Sequence, residues 1–280
     1  MKFTKNILLV VLILASTTSW VIAQVGIGTE AYPPNGMLDL RNNDSYGFVF
    51  PSGSLSASNV AAPITNPNGG ALVAGTVIFN TNSTATGAND VSPGIYVWDD
   101  SKWNPQYLRE DSSLFEQSPL DLRTVTGDLT YNSGTSDWVD VTGLGSGSSF
   151  TAKYTGVYRV KTSFNFGAGK VITPTTGDIM MGTMEGLFRF TFDGTSHLVY
   201  THAYSLYNGD IGPGVYYEQF KHDTSLINYV TLTASQTYNF QLEIDIFVAT
   251  HFENGGDSGD GRGHVGIDTP CTVEFTFQEE

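Results

Sequence analysis

The chain has one cysteine in 280 residues. That excludes an intrachain disulfide and any zinc site built from several cysteines. Cations are scarce as well: 13 Lys and Arg stand against 28 Asp and Glu, a formal net charge of -15. A phosphate backbone is gripped by clustered cations, and no such cluster occurs, so nucleic acid is excluded as a partner. The same balance argues against binding to an anionic membrane surface. Charged residues make up only 15%, against roughly 25% in an ordinary globular domain. Helical periodicity is nearly absent, because no long stretch repeats apolar residues at the spacing of one helix face. No segment reaches the about 18 consecutive apolar residues that a transmembrane helix needs, so none is expected. What the chain has is 31 Gly, 14 Tyr and 17 Phe, with aromatics at 12%. That is too much apolar surface for a disordered chain.

Residues 1–23 read as a secretory signal. Lys2 and Lys5 form its basic start, Ile7 to Ala15 is an unbroken apolar run, and Val21-Ile22-Ala23 places short side chains before a cleavage between Ala23 and Gln24. The apolar run is too short to cross a hydrocarbon core of about 30 Å. No cysteine follows it to take a lipid. The expected location is therefore extracellular or at the outer cell surface. An exported chain so poor in cysteine is expected to draw its stability from a large sheet core.

After the signal, short alternating runs are separated by Gly, Asn, Asp, Ser and Pro, the pattern of strands and turns. In 157–166, Tyr158, Val160, Thr162, Phe164 and Phe166 share one face, with Arg159, Lys161, Ser163 and Asn165 opposite. Phe188, Phe190 and Phe192 share another. In 238–248, Tyr238, Phe240, Leu242, Ile244, Ile246 and Val248 alternate with polar residues, and Phe247 falls on the outer side, where it marks a candidate subunit contact or an ordinary solvated face. Cys271, Val273, Phe275 and Phe277 close the chain in the same way. Successive strand side chains point to opposite faces, so this period of two means one buried and one wet face. The expected fold is all-β: an antiparallel β-sandwich of jelly-roll type over 120–280. Before it, 24–108 is read as a small strand-and-loop module, and 109–119 as a linker in which a short helical turn would also fit. Residues 52–70, low in charge and rich in small residues and Pro, are read as an extended loop or stalk.

Some of these segments resemble known families. Asp137-Trp138-Val139-Asp140-Val141, Phe150-Thr151-Ala152 and Thr155-Gly156-Val157-Tyr158-Arg159-Val160 resemble the opening strands of the C1q/TNF-like jelly roll. Phe164-Asn165-Phe166, the segment Val230 to Tyr238 and the closing Phe275-Thr276-Phe277 continue that resemblance, although Ser235-Gln236 stands where the family commonly has Gly-Asp. Gln24-Val25-Gly26-Ile27-Gly28-Thr29, Met37-Leu38-Asp39-Leu40, Gly47-Phe48-Val49-Phe50-Pro51 and Gly75-Thr76-Val77-Ile78-Phe79-Asn80 resemble the first segment of secreted Bacteroidota surface proteins and of phage-tail-like fibres. Gly94 to Trp103 continues that pattern and reads as a hairpin, with Asp100 at the turn position where its relatives carry Gly. The first resemblance implies a homotrimer with a binding role. The second implies attachment or display at the cell surface.

Candidate chemistry is sparse. In the loop 253–264, carboxylates are spaced through glycines, and Asp257, Asp260 and Asp268 are the expected ligands if Ca2+ is bound. The alternative is a solvated glycine-rich loop. Tyr96, Trp98 and Trp103 are the candidate sugar-stacking platform, and cross-strand packing is the alternative for the same rings. No His spacing suits zinc, no G-x-S-x-G elbow occurs, and Gly26-Ile27-Gly28 has no helix after it. Cys271 lies on an apolar strand face and reads as a small hydrophobe. The expected function is a non-enzymatic, trimeric adhesion or recognition protein whose partners are itself and an extracellular protein or glycan. A carbohydrate-binding module or a structural subunit of an extracellular filament or matrix is the alternative.

Overall fold

The structure, a computed structural model, describes residues 25–26, 38–39, 47–125, 138–212 and 214–278. The expected signal 1–23 lies outside them. The chain divides into two compact units, 1–51 and 52–280. In the first, β1 (Val25–Gly26) pairs in parallel with β2 (Leu38–Asp39), and the Phe48 and Phe50 rings meet edge to face at 4.8 Å.

The second unit opens with a small sheet ordered β3 (Ser52–Gly53), β4 (Val77–Asn80), β5 (Gly94–Trp98) and β6 (Trp103–Pro105). Its strands are short because the surrounding loops carry Gly, Pro and Asn, which favour turns over ladders. The segment 52–70 is not a free stalk. It folds back over the sheet, buries Leu55 fully and is tied down where Trp103 N–H donates to Ser58 O at 2.7 Å.

The remaining strands are β7 (Ser112–Glu116), β8 (Leu122–Arg123), β9 (Val139–Asp140), β10 (Ser148–Thr151), β11 (Gly156–Gly167), β12 (Ile179–Phe192), β13 (Thr195–Asn208), β14 (Tyr216–Phe220), β15 (His222–Leu232), β16 (Thr237–Ala249), β17 (His264–Val265) and β18 (Thr272–Gln278). Their pairing is nested. β7 pairs with β18, β10 with β16, β11 with β15, and β12 with β13, all antiparallel. A long hairpin rolled up in this way is a jelly roll. It leaves one sheet ordered β10-β16-β12-β13-β14 and the other β7-β18-β11-β17-β8, with β15 also pairing β11 and β9 pairing β16. At the innermost bend, Asp193 and Gly194 have φ of 44° and 80°, the positive pair that a two-residue hairpin turn requires.

The alternating faces meet between the sheets. Phe150 stacks on Phe275 at 4.3 Å, Phe115 meets Phe240 at 4.9 Å, and Phe164 meets Phe188 at 4.8 Å. Each such ring contributes on the order of 2–3 kcal/mol on burial, before entropy costs. Cys271 is fully buried in this core, and burial pushes its thiol up to about 12.

Two expectations need adjustment. Within the segment 109–119, read as a linker, Ser112–Glu116 is a strand paired to the last strand of the sandwich, so the sandwich begins before residue 120. Phe115, packed into the core, holds it there. In β16 the pairing register shifts at Phe247: Gly186 pairs with Ile246 while Glu185 pairs with Val248, a bulge. A Cβ on Gly186 would sit 2.3 Å from Asp245 O, so the close approach depends on glycine. Phe247 stays on the outer side, as alternation predicts, but it is buried there beneath Tyr200 rather than solvated.

Candidate functional site

Three surfaces were singled out by the sequence or emerge from the fold. The first is the small sheet. Tyr96, Trp98 and Trp103 come together, but inside its core, with Leu55, Ile78 and Val91. Trp98 and Trp103 are cross-strand partners with ring centroids 5.2 Å apart. The Trp103 indole N–H donates to Val60 O at 3.0 Å. The Tyr96 hydroxyl accepts from Ser92 N–H at 3.0 Å and lies 3.1 Å from the Tyr107 hydroxyl. Only 1% of Trp103 is exposed, so these rings are not offered to a sugar. Of the two readings of these rings, the geometry matches cross-strand packing rather than the candidate glycan platform.

Polar side chains fix this sheet and its turn. Asn80 is fully buried. It accepts from Leu55 N–H at 3.0 Å and donates to Asn82 O and Ser92 O at 2.8 Å. At the hairpin tip, Asp99 accepts from Ser101 N–H and Lys102 N–H, and Asn104 Nδ2 donates to it at 2.7 Å. The Asn104 contact, then those backbone donors, holds the Asp99 carboxyl well below the usual range. Asp100 takes φ of 82°, as the reading of that turn expected.

The small sheet is fastened to the jelly roll by two carboxylates. Asp90 accepts from Thr155 Oγ1, which itself accepts from Ala234 N–H at 2.9 Å. Burial raises the Asp90 carboxyl, but the hydrogen bonds from Thr155, Thr86, Thr84 and Gly87 outweigh it, and the net shift is downward. Asp111 accepts from the Tyr158 hydroxyl at 2.7 Å and from Lys153 N–H at 2.9 Å. Burial first, and the Asp111 carboxylate second, push the Tyr158 hydroxyl up. Arg109 lies over the Phe277 ring at 5.2 Å.

The second surface is the loop 253–264. It is neither an open loop nor a cation cage. Lys170 Nζ pairs with Glu253 at 2.8 Å, Lys170 N–H donates to Asp260 O, and Arg123 donates to Arg262 O at 2.8 Å. A Cβ on Gly261 would sit 1.8 Å from Glu253 O, so that glycine permits close backbone packing. Asp257, Asp260 and Asp268 do not converge: among the described residues no group of three or more His, Cys, Asp or Glu could hold a metal, and Asp268 pairs with Lys221. Glycines that read as spacers between ligands serve backbone contact instead.

The third surface was missed. Along β13 the small residues Thr201, Ala203 and Ser205 point inward and are buried, while Leu198, Tyr200 and Tyr204 point outward and are exposed. Tyr204 stacks on Phe220 of β14 at 4.9 Å, and Tyr217 lies 6.5 Å from Phe220. Tyr200 covers Phe247 at 6.2 Å and donates to Glu185. An exposed aromatic face of this kind has the character of surfaces that proteins use for association. The signal was present in 198–204, where the large residues occupy one phase of the alternation and the small ones the other. Further along the same outer face, Glu243 is 5% exposed and receives both Arg189 Nε and an Arg189 terminal nitrogen at 2.6 Å. Arg189 in turn lies over Trp138 at 4.3 Å.

Among the described residues, no helix is long and apolar enough to cross a membrane. Residues 26–128 match the family model described as phage tail like trimerisation region, less than half of the chain. The matched range takes in the small sheet and β7 and β8, which enter the jelly roll. It supports self-association of the chain and a trimeric, fibre-like structural character. No curated protein matches the chain.

Proposed function

We propose that the protein is exported and stands at the cell surface as a homotrimer. In this reading residues 26–128 join three chains, and the jelly roll is displayed for non-enzymatic adhesion to, or recognition of, an extracellular protein or glycan. The observation that carries it is the match of 26–128 to a trimerisation region. Two others support it. The apolar outer face of β13 and β14 offers area for contact between chains or with a partner. The nested pairing of the sandwich accords with the C1q/TNF-like resemblance of 120–280, which implies a trimer with a binding role. The secretory reading of 1–23 supplies the route out of the cell.

The test is antibody labelling of intact, unpermeabilised producing cells, with binding of the purified protein to glycan and extracellular-protein arrays. Surface labelling with selective array binding supports display and recognition. Labelling confined to permeabilised cells removes the surface role. The trimerisation match also favours a second reading, a structural fibre subunit with no ligand of its own. Concentration-dependent filaments in electron micrographs, with no array binding, would select it.

A further inference from the structure

A cavity of about 400 Å³ lies between the two sheets, where the edge strand β15 passes the β12–β13 turn. Its wall is apolar: Val160, Phe190, Phe192 and Val230. Among the polar side chains that join it, three carry the argument. Asn228 sits opposite Val160 in the β11–β15 ladder, His197 sits opposite Phe190 in the β12–β13 ladder, and Asp193 occupies the turn at the mouth.

The placement of Asn228 and His197 is what a sealed sandwich would avoid. In β15 the inward phase runs Leu226, Asn228, Val230, Leu232, and a third leucine at 228 would continue the core. On β13, His197 shares the inward phase with Val199, Thr201 and Ala203. Asn228 and His197 are each only partly buried, so their side chains remain open to the cavity. Partly exposed polar groups of this kind can exchange water for the polar atoms of a ligand. An apolar cavity of 300–1,000 Å³ with a few converging polar groups is the usual form of a small-ligand site.

The charge pattern narrows the ligand. No Lys or Arg lines the cavity, the chain carries -15, and Asp193 is held at the mouth by a two-residue turn that fixes its backbone. We propose that this cavity binds a small ring-bearing amine. The ring would fill the space between Phe190 and Val230, Asn228 and His197 would hydrogen-bond to polar atoms of the ring system, and the ammonium would face Asp193.

The probes are tryptamine and indole-3-propionate, which carry the same ring with opposite charge, titrated into the full chain by calorimetry and by NMR. Tryptamine is expected to bind at millimolar or lower concentration, and indole-3-propionate about tenfold more weakly. Asn228→Leu and Asp193→Asn should each weaken tryptamine binding about tenfold. Thr195→Trp, an exposed position on the lining, should block it without disturbing the core. No tryptamine binding at about 5 mM overturns the proposal. So does undiminished binding in all three variants, which would place the ligand elsewhere. Binding that appears only after the oligomer dissociates also overturns it, because the occupant would then be a neighbouring copy of the chain.

Discussion

The Asp111 carboxylate accepts a hydrogen bond from the Tyr158 hydroxyl at 2.7 Å, and Tyr158 is fully buried on the inner face of β11. The segment that leaves the small sheet is thereby tied to a central strand of the jelly roll by a charged acceptor. Tyr158→Phe is expected to lower the unfolding free energy by about 1.5–3 kcal/mol. Asp111→Asn should cost less, because the amide oxygen still accepts. Denaturant unfolding of both variants and of the double variant measures the coupling. Additive losses would show that the two groups do not act together.

Trp103 is the largest fully buried side chain in the core of the small sheet. Trp103→Ala should destabilise that sheet by about 3–5 kcal/mol. Hydrogen exchange is the readout: protection should fall across β4, β5 and β6 and be kept in β11, β12 and β16. Unchanged protection, accompanied by loss of glycan binding, would return Trp103 to the role of a sugar platform.

Thr162 and Thr201 point into the jelly-roll core, and their hydroxyls have no hydrogen-bond partner among the described residues. A buried hydroxyl without a partner costs about 1–3 kcal/mol. Thr162→Val and Thr201→Val, which keep the shape, should each stabilise the protein by about 1 kcal/mol. A loss of stability in both would mean that these hydroxyls are hydrogen-bonded in solution.

His264 of β17 is buried beside Asp121, with Nδ1 and the carboxylate oxygen 2.6 Å apart. Burial lowers its pKa, and the Asp121 hydrogen bond opposes this only in part. The unfolded chain therefore binds the proton more readily than the folded one. Stability should be full above the unfolded histidine value of about 6.5 and fall as the pH drops below it. His264→Gln should flatten that part of the profile. Below about pH 5, Glu274, Asp140 and Asp90, all held below the usual carboxylate range, add a second loss as they take up protons. A His264→Gln profile as steep as the wild type between pH 7 and 5 would reject the assignment.

The sandwich was legible where its strands carry a clean period of two: the inward residues of β11 and β18 include those that alternation selects. What was not legible depends on partners distant in sequence. Phe115 anchors β7, but its pairing with Val273 closes across most of the jelly roll, and a short Ser-rich run reads locally as a linker. The burial of Phe247 comes from Tyr200 of β13, which covers it on the outer face, and no pattern within β16 reveals that. The acids of 253–264 suggested a cation cage because ligand spacing and close-packing glycines look alike in one dimension. Trp98 and Trp103 were found as a pair by the hairpin pattern, but whether a cross-strand pair faces core or solvent is decided by the loop 52–70 that folds over it.

In the proposed assembly, the trimerisation region matched over residues 26–128 joins three chains and holds their jelly rolls together. Sedimentation equilibrium of the full chain at micromolar concentration is the decisive measurement. Three chains per particle, independent of further dilution, is the predicted result, and a single chain per particle across the same range would contradict it.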